Sequence, residues 1–166
     1  MSAFLIDAFE FCRLKERRSG AIAISDLPRL ARESADSSGA LHWSLAGERN
    51  TFGHPQLELR VSGAVKLICQ RCLQPLDCEI DSVSILILAS NDAAADEIEE
   101  LLDDESVEVI VGSSAMDLIC LLEDEALLAL PVSARHDVCP DKASVESMKL
   151  PEKESPFAVL KNLKKS

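Results

Sequence analysis

Residues 56–69, QLELRVSGAVKLIC, alternate between apolar and polar positions with a period of two. The odd positions are Leu57, Leu59, Val61, Gly63, Val65, Leu67 and Cys69, and the even positions from 58 to 66 are polar or small. Successive side chains of a strand point to opposite faces, so this pattern predicts a long, half-buried antiparallel strand. It also places Cys69 on the buried face. Such a strand requires a partner strand and an apolar layer against one side.

The partner strand is predicted directly after Cys72. The segment LDCEIDSVSILIL, residues 76–88, again alternates, so the C-x-x-C of Cys69 and Cys72 becomes the turn between two strands. Its apolar phase changes from Cys78 and Ile80 to Val83 and Ile85. A shift of one residue predicts a β-bulge near Ser82.

Helical spacing is present on both sides of this hairpin. The segment AMDLICLLEDEALLAL is apolar nearly all round, which predicts a buried helix ended by Pro131. Shorter patterns predict a helix over 7–18 and another after Ser25, whose hydroxyl is the expected N-cap. Residues 91–105 are acidic and poor in apolar side chains, so they predict a mobile loop or a frayed helix.

Together these elements predict an α+β fold. We expect an antiparallel β-sheet or partly closed barrel with one buried helix, short N-terminal helices and a flexible C-terminal extension. At 166 residues and 47% hydrophobic content the chain can form one core. Residues 1–139 are the expected single globular domain. Residues 140–166, polar and punctuated by prolines, are the expected linker and C-terminal tail.

Charge is unevenly distributed along the chain. The formal net charge is −12, yet the 63 residues between Arg71 and Arg135 contain 16 carboxylates and no Lys or Arg. Short basic clusters lie near the ends, at 13–18 and 161–166. Such segregation favours an acidic surface that faces a basic protein partner. The alternative is a solvated acidic face that maintains solubility.

No targeting or membrane segment is predicted. The first dozen residues lack a basic n-region, and Asp7 and Glu10 interrupt their apolar stretch. The uncharged apolar runs are far shorter than the ~18–20 residues that a transmembrane helix needs. We therefore expect a cytoplasmic protein, in which the six cysteines are reduced or bound to metal.

The C-x-x-C motif has three possible interpretations: a redox site, half of a metal site, or only a turn. Thiol redox chemistry favours a cysteine at a helix N-terminus, and no helix is predicted there. A strand, a C-x-x-C turn and a second strand are typical of a zinc knuckle. Cys69 and Cys72 would then be completed by His136 and Cys139, which have the spacing H-x-x-C. The alternative makes His136 an ordinary loop histidine and Cys139 an unrelated thiol.

No other catalytic motif is present. The sequence has no glycine-rich phosphate loop, no nucleophile elbow and only three histidines. We therefore expect a protein that is not an enzyme, requires no cofactor beyond a possible structural zinc, and has neither a small-molecule substrate nor a catalytic residue.

Three stretches together resemble the YceD family of large ribosomal RNA subunit accumulation proteins: VSGAVKLICQRCLQPL, DLICLLEDEALLALPVSARHDVC and PFAVLKNLKK. The resemblance implies a bacterial cytoplasmic protein that supports synthesis, processing or stability of large-subunit (23S) ribosomal RNA. It implies no catalytic residue.

A strongly acidic chain is poorly suited to extensive RNA contact, because neutralisation of phosphates supplies most of the affinity. Two mechanisms remain open: the acidic half binds a basic ribosomal or assembly protein, or the basic ends touch RNA. Two other functions remain as alternatives, namely a zinc-binding interaction module unrelated to ribosomes and a thiol oxidoreductase.

Overall fold

The computed structural model describes residues 4–140 of the chain. The expected linker and tail lie outside the described residues from 141 onward, so the domain boundary and the flexible extension stay predictions. Within residues 4–140, no helix is both long and apolar enough to cross a membrane.

Seven strands and four α-helices make up this part of the chain. In order they are β1 (Leu5–Ile6), α1 (Ala8–Arg13), β2 (Arg17–Ala23), a 3-10 turn (Ile24–Asp26), α2 (Pro28–Glu33), β3 (Ala40–Arg49), β4 (Pro55–Ile68), β5 (Pro75–Ala89), α3 (Asp92–Leu102), β6 (Val107–Val111), β7 (Met116–Asp117) and α4 (Leu118–Leu128). The predicted N-terminal helix over 7–18 is shorter than expected, since the chain turns after Arg13 and Arg17 already belongs to β2.

Five strands form one sheet in the order β2-β3-β4-β5-β6. The first four are antiparallel neighbours, whereas β6 runs parallel to β5. In the described residues this sheet stays open and does not close into a barrel. The α+β class and the antiparallel sheet are therefore confirmed, with one parallel edge strand added by the α3 connection.

One face of the sheet carries the main core. Leu57, Leu59 and Val61 of β4 are almost completely buried, as the alternation predicts. Helices α1, α2 and α4 supply the opposing apolar side chains, which include Phe11, Leu30 and Leu122. Each fully buried side chain of this size contributes about 1.5–3 kcal/mol relative to an exposed one.

The predicted β-bulge near Ser82 is wrong. The register between β4 and β5 is unbroken from Gln56↔Ile87 to Ile68↔Pro75. Ser82 and Ser84 interrupt the apolar pattern because they lie on the core-facing side and donate hydrogen bonds to the buried carboxylate of Glu125. The sequence pattern changed phase at these positions without any change in the backbone.

Of the two alternatives for residues 91–105, a mobile loop or a frayed helix, the structure has a helix over residues 92–102, which form α3. The side chain of Asn91 caps the helix by accepting a bond from the Ala94 N–H at 2.9 Å. Helix α3 covers the sheet face opposite the main core, where Ile98 packs against Ile87 and Ala89 of β5. Ile87 and Ala89 are odd-numbered residues of β5, whereas the residues of β5 that face the main core are even-numbered. The C-terminal end of β5 is therefore buried on both faces.

Helix α4 is the predicted buried helix, and it carries two buried carboxylates. Glu123 is 3% exposed, and its Oε1 accepts bonds from the backbone N–H groups of Arg29 and Leu30. These groups begin α2, whose N-cap residue Leu27 supplies no side-chain acceptor. The expected cap by Ser25 is therefore wrong, and a carboxylate from a distant helix replaces it.

The Arg29 guanidinium donates to Oε2 of Glu123 at 2.7 Å. Burial opposes ionisation of Glu123, but Arg29 and the two backbone N–H groups outweigh it and lower the pKa of this carboxyl below its ordinary value of 4.5. Arg29 also pairs with Asp124 at 2.6 Å, where the carboxylate is 54% exposed.

We expect Glu123→Gln to lower the free energy of unfolding by about 1–3 kcal/mol, because buried donors lose a charged acceptor. Asp124→Asn removes the exposed partner of the same arginine and should cost less than about 1 kcal/mol. Urea unfolding at neutral pH compares the two variants. Equal losses of unfolding free energy in the two variants would contradict the conclusion that the buried Glu123, and not the exposed Asp124, stabilises the start of α2.

The same contact predicts a pH dependence. A carboxyl with a depressed folded-state pKa stabilises the protein above its unfolded value of 4.5, and that stabilisation is lost as pH falls through the folded-state pKa. The stability difference between wild type and Glu123→Gln should therefore be full at pH 7 and shrink below about pH 4.5. A stability difference that stays constant across this pH range would contradict a depressed pKa of Glu123.

Candidate metal centre

The turn between β4 and β5 holds the C-x-x-C motif. The Leu73 N–H donates to the Cys69 carbonyl at 2.9 Å, and the Cys69 N–H donates to the Gln74 carbonyl at 2.9 Å. Leu73 has a φ of 59°, in the left-handed region that residues with a Cβ rarely adopt. The turn is therefore tight, and both cysteines lie at the end of the hairpin.

The segment after α4 folds back onto this turn. The Gln70 N–H donates to the Ala134 carbonyl at 2.8 Å, and the His136 N–H donates to Cys69 Sγ at 3.4 Å. The sulfur atoms of Cys69, Cys72 and Cys139 and a ring nitrogen of His136 all lie within 4.8 Å of one another. The four residues singled out from the sequence thus meet at one point, although His136 is 64 residues from Cys72 along the chain.

The other cysteines lie outside this cluster. Cys78 is half-buried on β5, and Cys12 is buried in α1, where its thiol donates to the Gln56 carbonyl at 3.2 Å. Cys120 lies in the predicted buried helix, but its side chain is exposed.

His136 is oriented by a backbone contact that the sequence does not reveal. Its Nε2 lies 3.1 Å from the Pro75 carbonyl oxygen, and its Nδ1 lies 3.3 Å from Cys72 Sγ. A carbonyl oxygen can only accept, so Nε2 carries the proton in this hydrogen bond. In the neutral ring Nδ1 then presents its lone pair to the cluster.

The environment of Cys69 favours the thiolate. Burial opposes ionisation, but the N–H groups of Cys72, His136 and Arg71 point at its sulfur and lower the pKa to about 5. The pKa of Cys139 is raised, by burial and by the neighbouring sulfurs of Cys72 and Cys69. Three thiols that compete for negative charge in one place are characteristic of a site in which a cation balances that charge.

The geometry does not favour disulfide exchange. An attacking thiolate must be reached by its substrate, yet Cys69 is 0% exposed. It also lies after a strand, and the residues that follow Cys72 lead into β5, so no helix dipole acts on the motif. The low pKa of Cys69 comes from local N–H groups that hold a sulfur in place.

The fold and this cluster together define an α+β protein with a Cys₃His group at the tip of a long β-hairpin. The family model described as "Large ribosomal RNA subunit accumulation protein YceD" matches residues 57–164. The chain belongs to the YceD family. No solved structure matches it. The matched range includes β4 from Leu57 onward, the hairpin tip, α4 and the His136–Cys139 segment.

Leu73 provides a test of the turn geometry. Leu73→Gly should stabilise the protein by about 0.5–1 kcal/mol. A non-glycine residue in the left-handed region costs about 1–2 kcal/mol, and the larger conformational entropy that glycine loses on folding offsets part of the gain. Leu73→Ala is the matched control, since it shortens an exposed side chain and keeps the strained φ. Thermal unfolding measures both, and a Gly variant less stable than the Ala variant would contradict this account.

Proposed function

We propose that the protein acts in the cytoplasm as a non-enzymatic factor for the large ribosomal subunit, and that its acidic region binds a basic ribosomal or assembly protein. Membership of the YceD family carries the first part, since the family is described by accumulation of large-subunit ribosomal RNA. The distribution of exposed carboxylates supports the second part.

Two of the 16 carboxylates between Arg71 and Arg135, Glu123 and Glu125, are buried and bonded inside the fold. The other 14 are exposed. Within residues 4–140, Asp124 is the one member of the exposed set that forms an ion pair, with Arg29. The remaining 13 form no ion pair with a cation in the described residues, which leaves a strongly negative surface.

Part of this surface surrounds an open groove beside α3, with a volume of 580 Å³. Its lining consists of five carboxylates, five apolar side chains and two serines: Glu99, Asp103, Asp104, Glu105, Glu108, Val83, Ile85, Leu102, Val107, Val109, Ser84 and Ser106. We call this feature the acidic groove. Carboxylates beside apolar surface suit a peptide segment that carries both Lys or Arg and apolar side chains.

Nucleic acid is the less suitable occupant of this region. Exposed carboxylates repel phosphates, and affinity for RNA rests largely on Lys and Arg. The exposed basic side chains of 13–18, at α1 and β2, are the place where RNA contact would be expected instead. If RNA binds at the basic side chains, nuclease treatment should abolish capture of the partner, and neutralising the carboxylates of the acidic groove should leave capture unchanged.

We expect Glu99→Gln, Glu105→Gln and Glu108→Gln together to slow association with large-subunit ribosomal proteins freed of RNA, by roughly tenfold at low salt. The matched control is Asp77→Asn, Glu79→Gln and Asp81→Asn, which removes three charges from the exposed face of β5 outside the groove. Binding kinetics at several salt concentrations measure the effect. Steering by charge predicts that salt also slows the wild type.

Complementation tests the biological role. Cells lacking the protein should have less large-subunit ribosomal RNA, and the groove variant should restore less of it than the control variant. If both triple variants bind and complement like the wild type, the acidic groove is not the binding surface. If capture of the partner from a cell extract is abolished by nuclease, RNA and the basic ends carry the function.

A further inference from the structure

We propose that Cys69, Cys72, His136 and Cys139 bind one Zn²⁺ as a closed structural site, with His136 coordinating through Nδ1. The site would fasten the segment after α4 to the tip of the β4–β5 hairpin. This inference rests on the geometry of the cluster and is independent of the ribosomal role.

The spacing of the donor atoms suits a tetrahedral ion. Zn–S bonds of about 2.3 Å place the sulfur atoms of a tetrahedral site about 3.8 Å apart. The four donor atoms already lie within 4.8 Å of one another. Closing around an ion therefore requires side-chain movements below about 1 Å, with no change in the register of the hairpin.

The donor types select the metal. Three thiols and one imidazole are soft or borderline ligands that favour zinc over magnesium or calcium, which prefer oxygen. Four protein donors complete a tetrahedron and leave no position for a reactive water. The arrangement is therefore that of a structural site and not of a hydrolytic one.

The surrounding hydrogen bonds are those that metal ligands need. The Nε2–H of His136 is held by the Pro75 carbonyl, which leaves Nδ1 for the ion. The N–H groups of Arg71 and His136 donate to Cys69 Sγ, each at 3.4 Å, and so stabilise a charged sulfur. These contacts orient two ligands from two separate segments of the chain.

The segment from Pro131 to Cys139 has few other means of attachment. Ala134 is 7% exposed and Cys139 is 8% exposed, whereas Val132 and Val138 point into solvent. Without a cation, the three thiols offer only weak hydrogen bonds, and thiolates held this close together repel one another. Metal binding supplies the missing attachment, and its free energy becomes folding free energy.

The first experiment measures metal in the full chain purified without chelator. We expect about one Zn²⁺ per chain, and after exchange with Co²⁺ we expect the thiolate charge-transfer absorption and the visible bands of a tetrahedral Co²⁺ site. Cys72→Ser and Cys139→Ser should lose the metal. Cys78→Ser and Cys120→Ser are matched controls that remove thiols outside the cluster and should keep it.

The second experiment identifies the ligand nitrogen. Nδ1 is two bonds from Cβ, and the longer Zn–S bond lets a cysteine at this position reach the same ion. His136→Cys should therefore retain the metal, whereas His136→Ala should bind it at least about tenfold more weakly. Heteronuclear NMR of the histidine ring in the wild type should show a protonated Nε2 and a metal-bound Nδ1.

Wild-type protein that lacks zinc and gives no tetrahedral Co²⁺ spectrum on reconstitution would overturn the proposal. So would a Cys72→Ser variant that binds zinc as tightly as Cys78→Ser. If the serine variants fail to fold, the wild-type spectrum and the comparison of His136→Cys with His136→Ala decide the question. Loss of metal with normal ribosomal RNA levels would leave the proposed function intact.

Discussion

The continuous pairing of β4 with β5 is the constraint on which the other contacts depend. Thirteen residue pairs, from Gln56↔Ile87 to Ile68↔Pro75, hold one register without interruption. A slip of one residue would move Leu57, Leu59 and Val61 to the outer face and carry Cys69 out of the buried position. The same register places Ser82 and Ser84 on the core face, where Glu125 needs donors.

Helix α4 then connects the parts of the fold through two buried carboxylates. Glu123 anchors the start of α2, and Glu125 binds the serines of β5. Interior charges are costly unless they are bonded, and each of these accepts hydrogen bonds from another element. Their hydrogen bonds join α4 to α2 and to β5 at defined positions. The end of α4 in turn delivers His136 and Cys139 to the hairpin tip.

The acidic groove and the thiol cluster lie at separate places along β5. The cluster lies beside Pro75, and the groove is lined by Val83 and Ile85. At about 3.3 Å per residue the strand separates Pro75 from Ile85 by about 33 Å. The proposed metal site and the proposed partner surface therefore lie on different parts of one sheet, and a variant at one need not disturb the other.

Strand β4 and helix α4 were predictable because their apolar periodicity follows from burial on one face or on all faces. The C-x-x-C turn and its resemblance to half of a metal site could also be predicted from the sequence, since two thiols on a tight turn point the same way. Helix α3 could be predicted only as one of two alternatives, a mobile loop or a frayed helix, because its exposed face is so acidic that the apolar signal of Ile98 is weak.

Tertiary structure alone decided three matters. It replaced the expected cap at Ser25 with the distant Glu123, and it explained the phase change of β5 by hydrogen bonds instead of a bulge. It also chose between the two alternatives that the sequence left open for His136 and Cys139, since both lie at the hairpin tip, and it fixed the orientation of the His136 ring by the contact with the Pro75 carbonyl. Side-chain periodicity reports which face of an element is buried. It does not report which distant polar atom lies opposite, because backbone carbonyls and N–H groups are the same at every position.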